Sequence, residues 1–173
     1  MIIDALFPKK CVECAKIGEY LCKSCEGKIK LSRQFCPNCA KPSIDGMTHP
    51  ACVNKYSFTG CHFVFNYQGC IKALLLAMKY KYAYDARDCL VQLIQNNLKS
   101  EFIKSSKDTL LIPIPATKKR EKWRGFNQAQ IIGESLAENL NWNCDIDILV
   151  RSKNTHPQTG LKREDRLKNQ KNS

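Results

Sequence analysis

The chain has 173 residues, of which 43% are hydrophobic and 25% charged, a globular composition that excludes wholesale disorder and fibrous repeats. Its 28 Lys+Arg against 16 Asp+Glu leave a formal net charge of +12, which points to a polyanionic partner such as nucleic acid or a phosphorylated ligand, with lysine-rich solubility as the plain alternative. The longest apolar run, Ile71 to Met78, is broken by Lys72 and falls far short of the ~20 residues of a membrane span, so no transmembrane helix is expected.

At the N-terminus, lysines follow the apolar stretch Ile2 to Phe7 instead of preceding it, the wrong order for a secretory signal, and a cytoplasmic protein is expected. In a reducing cytosol, grouped thiols read as metal ligands and not as disulfides. Seven of the 11 cysteines lie in a pattern up to Cys52. They form the pairs Cys11/Cys14, Cys22/Cys25 and Cys36/Cys39, and His49 with Cys52 makes a fourth pair with the same two-residue gap. Two intervening residues let both side chains turn onto one ion, and thiolate with imidazole in fours suits tetrahedral zinc.

Eight ligands suffice for two closed structural sites, most simply Cys11, Cys14, Cys22 and Cys25 at one and Cys36, Cys39, His49 and Cys52 at the other. The spacing also allows interleaved pairing, or one site with some thiols free. Such sites have no open position for catalysis and replace a core that so short a segment cannot build. Around them Lys9, Lys10, Lys28, Lys30, Arg33 and Lys41 make either a nucleic-acid-facing surface or a solvated one. A zinc-binding module is therefore expected over residues 1–55 and a second domain over 56–173.

In the second domain, alternation from Tyr56 to Tyr67 predicts a strand or hairpin arm. Helical spacing predicts one helix from Gly69 to about Lys81 and another from Ala86 to Lys104. Cys61, Cys70, Cys89 and Cys144 lie among apolar neighbours and read as small core residues. Thr109 to Ile114 reads as a short buried strand ended by Pro115, Asn127 as the cap of a helix reaching Leu140, and Cys144 to Val150 as a further strand. Strand, helix and strand in that order imply a βαβ unit with a parallel sheet, hence an α/β fold.

Between the first strand and its helix, Thr117 to Gln128 reads as a basic loop with five cations and one acid. Parallel α/β domains bind ligands at such places. Lys118, Lys119, Arg120, Arg124 and Gly125 are therefore candidate phosphate-binding residues, and Lys118, Lys119, Lys122, Trp123 and Arg124 candidate contacts to single-stranded DNA, Trp123 and Phe126 offering faces for base stacking. The alternative is solvated charge over core aromatics. Beyond Arg151 the chain is polar, basic and aperiodic, as expected of a mobile or disordered tail.

The chain resembles the ComF family of competence proteins, in which a zinc ribbon is joined to a phosphoribosyltransferase-like domain of type I fold. The resemblance rests on Leu6-Phe7-Pro8, on Cys36-Pro37-Asn38-Cys39, and on Met78-Lys79-Tyr80. It rests most on Ile112-Pro113-Ile114-Pro115 followed by Arg124-Gly125-Phe126-Asn127-Gln128, and on the series Thr155, Gln158, Leu161, Arg163, Arg166 and Asn169. It implies DNA handling in natural transformation, inside the cell near the uptake machinery at the inner face of the cytoplasmic membrane, with single-stranded DNA and helicase or channel proteins as partners.

It also implies a phosphoribosyl pyrophosphate ligand with Mg²⁺. Ala116 to Gln128 would face the pyrophosphate, and Thr155, Gln158, Arg163, Arg166 and Asn169 would belong to the flexible loop that covers it. This chain departs from the family in two places. Its fourth pair is HxxC, which makes that site more sensitive to acid. Its sequence ends at Ser173 without the acidic pair and Thr-Thr-Gly turn of the phosphoribosyl-pyrophosphate motif, so transfer activity is not expected of the sequence as it stands, and the second domain is expected to be incomplete.

Overall fold

The computed structural model describes residues 8–80, 83–98, 108–152, 162, 164 and 165. The chain divides into two compact units, Met1–Ser106 and Lys107–Ser173.

The first unit begins with two similar half-ribbons. In each, a CxxC pair sits on a turn closed by a short antiparallel bridge, Lys10 with Ile17 in the first and Phe35 with Pro42 in the second. The turns share their hydrogen bonds: Ala15 N–H donates to the Cys11 carbonyl and Cys11 N–H to that of Lys16, as Ala40 N–H does to Cys36 and Cys36 N–H to Lys41. The residue after each second cysteine must turn left-handed to make this closure, and Ala15 and Ala40 have φ of 60° and 56°. The returning pairs sit on helical turns, α1 (Lys23–Glu26) after Cys22 and a 3₁₀ turn, Pro50–Cys52, after His49.

Two longer helices follow, α2 (Gly69–Tyr80) and α3 (Ala86–Asn97). On α2 the spacing of Ile71, Leu74 and Met78 places them on one buried face, and α3 buries Leu90, Val91 and Leu93. Each such side chain contributes about 1.5–3 kcal/mol by leaving water. The helix expected to reach Lys104 extends to Asn97, and residues 99–107 lie outside the described part. Between Tyr56 and Tyr67 there are single bridges, Met47 with Gly60 and Leu31 with Phe65, in place of a continuous strand. There Gln34 substitutes for a backbone partner, donating to the Phe63 carbonyl at 2.6 Å and accepting from its N–H at 3.1 Å.

The boundary expected near Lys55 falls inside this first unit. Leu31 pairs with Phe65 across it, and the Cys70 thiol at the start of α2 donates to the Cys25 carbonyl at 3.5 Å.

The second unit is α/β. Strand β1 (Leu110–Leu111) pairs in parallel with β2 (Asn143–Cys144), in the register Leu110 with Asn143 and Leu111 with Cys144. The connection carries α4 (Lys118–Arg124) and α5 (Gln128–Leu140). Asn127 caps α5 as expected, its side chain accepting from Ala129 N–H at 3.1 Å. The other end closes on Asn141 at φ 55°.

Three expectations are corrected. The basic loop is mostly helical, because Thr117 caps α4 by accepting from Arg120 N–H and Gly125, at φ 83°, ends it. The strand expected over Thr109 to Ile114 pairs at two residues, and Leu110, Ile112 and Ile114 are exposed, while Leu111 and Pro113 lie under α5. The strand expected to reach Val150 stops at Cys144, because the Asp145 carboxylate accepts from Asp147 N–H at 2.9 Å and turns the chain away.

Candidate metal centres and the basic helix

The folding of the two half-ribbons brings the eight predicted ligands together in two groups, Cys11, Cys14, Cys22 and Cys25, and Cys36, Cys39, His49 and Cys52, the ligand atoms of each group all within 4.8 Å of one another. In a tetrahedral thiolate site with zinc–sulfur bonds of about 2.3 Å, neighbouring donor atoms stand about 3.8 Å apart, and slightly less for a sulfur–nitrogen pair. The Cys14 and Cys22 sulfurs are 3.6 Å apart, and His49 Nδ1 is 3.4 Å from Cys39 Sγ. The donor sets therefore fit two four-coordinate zinc ions, each of which would join a CxxC turn to the returning pair of its own half-ribbon and leave no position for a reacting ligand.

The surroundings fit as well. His49 Nε2 lies 3.1 Å from the Pro42 carbonyl, which holds the proton on that nitrogen and turns the lone pair of Nδ1 toward the sulfurs, the usual outer-shell arrangement of a ligating imidazole. Asn38 donates to the Cys52 carbonyl at 2.5 Å and to Ser57 Oγ at 2.7 Å, tying the second CxxC turn to the returning pair. Gly46 has the Cys61 carbonyl where its Cβ would be, 2.1 Å away, so the strap behind this site admits no side chain there.

Thiol ionisation reflects the crowding. Burial pushes Cys11 up, but the N–H groups of Cys14, Cys22 and Glu13 outweigh it and hold the thiol down at about 6. Cys36 is likewise pushed up by burial and held at about 6 by the N–H groups of His49, Cys39 and Asn38. Their partners move the other way. A hydrogen bond with Cys22, and then burial, raise Cys25 to about 12, and a hydrogen bond with Cys39, and then burial, raise Cys52 to about 11. Without a cation each group thus shares protons among its sulfurs, and a dication that displaces them relieves the repulsion. The later cysteines differ: Cys70 is buried, Cys61, Cys89 and Cys144 are half-buried, and burial raises the thiol of Cys89 to about 11.

In the second unit the five predicted cations do not share one face. Lys118, Lys119 and Lys122 are exposed, whereas Arg120 and Arg124, four residues apart, are half-buried. Arg124 reaches to 3.4 Å from Gln128 Oε1 in the first turn of α5, with its guanidinium 6.0 Å from the Trp123 ring centroid. Trp123 is 55% exposed and Gly125 is exposed, while Phe126 is half-buried. Thr155, Gln158, Arg163, Arg166 and Asn169 lie outside the described residues.

Sequence reading missed the duplication of the half-ribbons and the outer-shell roles of Asn38, Pro42 and Cys70. A signal for the first was present in Cys-Ala-Lys at 14–16 and again at 39–41. Thr117 and Gly125, a start and a stop with seven residues between them, could have shown the helix inside the basic segment.

Residues 2–53 match the double zinc ribbon domain family. The chain is similar to competence protein ComFC of Bacillus subtilis, 30% identical over 131 residues that cover 70% of this chain and 53% of the relative. It is also similar to competence protein F of Haemophilus influenzae, 28% identical over 155 residues that cover 88% of this chain and 62% of the relative. The chain thus spans little more than half the length of these curated relatives. No solved structure matches it significantly. No described helix is long and apolar enough to cross a membrane.

Proposed function

We propose that this protein handles single-stranded DNA during natural transformation, with two structural zinc ions in residues 1–55 and a type I phosphoribosyltransferase-like scaffold beyond them. The observation that carries the reading is the set Lys118, Lys119, Lys122 and Trp123 on the exposed side of α4, three cations beside a stacking surface. Both relatives are named as competence proteins, which supports the biological setting. Work at the cytoplasmic face of the membrane, beside helicase or channel proteins of DNA uptake, is part of the proposal.

Single strands bind by releasing counterions as cations meet phosphates, and by stacking that tolerates any base. The three lysines would supply the first term and Trp123 the second. Arg124 has a different role. Arg124 spans from the last turn of α4 to Gln128, beside the α5 N-terminus where the helix dipole favours anions, and it would hold a phosphate of a phosphoribosyl-pyrophosphate-type ligand together with Gly125. Such a ligand would bring Mg²⁺ with it, and transfer to an acceptor is a second reading that rests on the resemblance. The zinc ions would fix the fold only.

The test is binding of a labelled single strand to the zinc-loaded chain across a salt series. Affinity falling steeply with salt supports the reading, and a weak, salt-independent signal refutes it. For the second ligand, phosphoribosyl pyrophosphate with Mg²⁺ should raise the melting temperature if it binds the folded state.

A further inference from the structure

The loop leaving the second metal centre, residues 53–58, turns three large apolar side chains outward. Val53 is 65% exposed, Tyr56 84% and Phe58 72%. Aromatic rings stabilise a protein chiefly when covered, so two on one short segment, both more than two-thirds exposed, call for a partner or for a loop too loose to hide them. This loop is not loose. Asn54 N–H donates to Ser57 Oγ at 2.7 Å, Tyr56 N–H to Asn54 Oδ1 at 2.9 Å, and Ser57 N–H to the Asn54 carbonyl at 3.0 Å. Asn38 anchors Ser57 to the metal centre, and the Thr48 hydroxyl donates to the Phe58 carbonyl at 2.5 Å. The rings are held out by a braced backbone, and binding through them would forfeit little further loop entropy.

The charge around the loop selects the partner. The Lys55 ammonium stands 5.6 Å from the Tyr56 ring centroid, and Lys41 is exposed on the CxxC turn of the same centre. Between Cys36 and Gly60 the sequence has one acid, Asp45. Protruding aromatic faces flanked by cations match a ligand that alternates flat π surfaces with negative charge, as a single strand does with its bases and phosphates. We propose that Tyr56 and Phe58, flanked by Lys55, form a base-stacking platform for single-stranded nucleic acid. It lies in a different unit from α4, and it rests on the reading that the chain binds single strands.

The experiment uses the zinc-loaded full chain and a dye-labelled oligothymidylate, read by fluorescence anisotropy across a salt series. The double variant Tyr56→Ala/Phe58→Ala should bind about 30-fold more weakly or worse, in line with the loss of two stacked bases. Its salt slope should match that of the unsubstituted chain, and Tyr56→Phe should bind nearly normally. Lys55→Ala should instead lower the slope, by roughly 0.7 for one phosphate contact.

Unchanged affinity in a double variant with its full zinc content overturns the platform and leaves the DNA-binding reading standing, whereas absence of binding by the unsubstituted chain overturns both. Should the double variant lose zinc, ultraviolet cross-linking of the oligothymidylate to the unsubstituted chain decides. Adducts on Tyr56 or Phe58 support the platform, and adducts confined to other residues overturn it.

Discussion

His49 presents Nδ1 to the Cys39 sulfur at 3.4 Å while its other nitrogen is engaged by the Pro42 carbonyl. The ring is therefore oriented as a ligand by a bond that does not involve the metal. His49→Ala should remove the ion of the second centre and leave the first, since no donor of one group belongs to the other. His49→Cys should keep both, because it completes a fourth CxxC. Cobalt substitution reads the difference: the cysteine variant should gain sulfur-to-metal charge-transfer intensity, and the alanine variant should lose about half of it.

The metal-free protein should have a stability maximum near pH 9. Cys11 and Cys36 sit near 6 when folded against an ordinary 9.0, so between those values the unfolded chain holds more protons and stability rises with pH. Cys25 and Cys52 are raised to about 12 and 11, so above 9 the folded chain holds more protons and stability falls. Melting temperatures of the chelated protein from pH 6 to 11 check this, and zinc should flatten the profile by fixing all the thiols as thiolates.

A glycine in the middle of α5 is explained by what lies beneath it. A Cβ on Gly133 would stand 2.8 Å from Leu111 Cδ2 and 3.0 Å from Pro113 Cγ, so helix and strand approach through that missing methyl. Alanine favours helices by ~1 kcal/mol over glycine, yet Gly133→Ala should destabilise the protein by about 1–3 kcal/mol because it overpacks this contact. Urea denaturation checks the sign.

Arg124→Ala should weaken binding of a phosphate-bearing ligand such as phosphoribosyl pyrophosphate by about 1.5–3 kcal/mol, the range for a hydrogen bond to a charged group. Isothermal titration calorimetry is the measurement. An unchanged affinity would return this part of the molecule to solvated surface.

Legibility in the sequence followed the range of the interaction. The metal ligands were readable because identity and a two-residue gap are local, and α5 because its cap at Asn127 and its apolar period are local too. The grouping into two fours was readable as the simplest pairing, but the choice of it over interleaved pairing or a single site depends on Ala15 and Ala40 turning left-handed and on the bridges behind them. The helix over Lys118 to Arg124 was obscured by its charge, although Thr117 and Gly125 marked its ends. Strand lengths were overread at Ile114 and Val150 because an apolar run does not reveal whether a neighbouring strand is present to pair with it. The aromatic loop beyond Cys52 was read as part of a strand because alternation at Phe63 and Phe65 dominated the window, and the Asn54 and Ser57 hydrogen bonds that end such a pattern depend on Asn38, 16 residues before Asn54.

The central claim is that two closed four-ligand zinc centres hold the first unit together. Its most direct test is the zinc content per chain of the purified protein, by inductively coupled plasma mass spectrometry against quantitative amino-acid analysis. The account predicts two zinc ions per chain, falling to one in Cys11→Ser and to one in Cys36→Ser. A single ion that either substitution abolishes, or a folded protein with none, would contradict it.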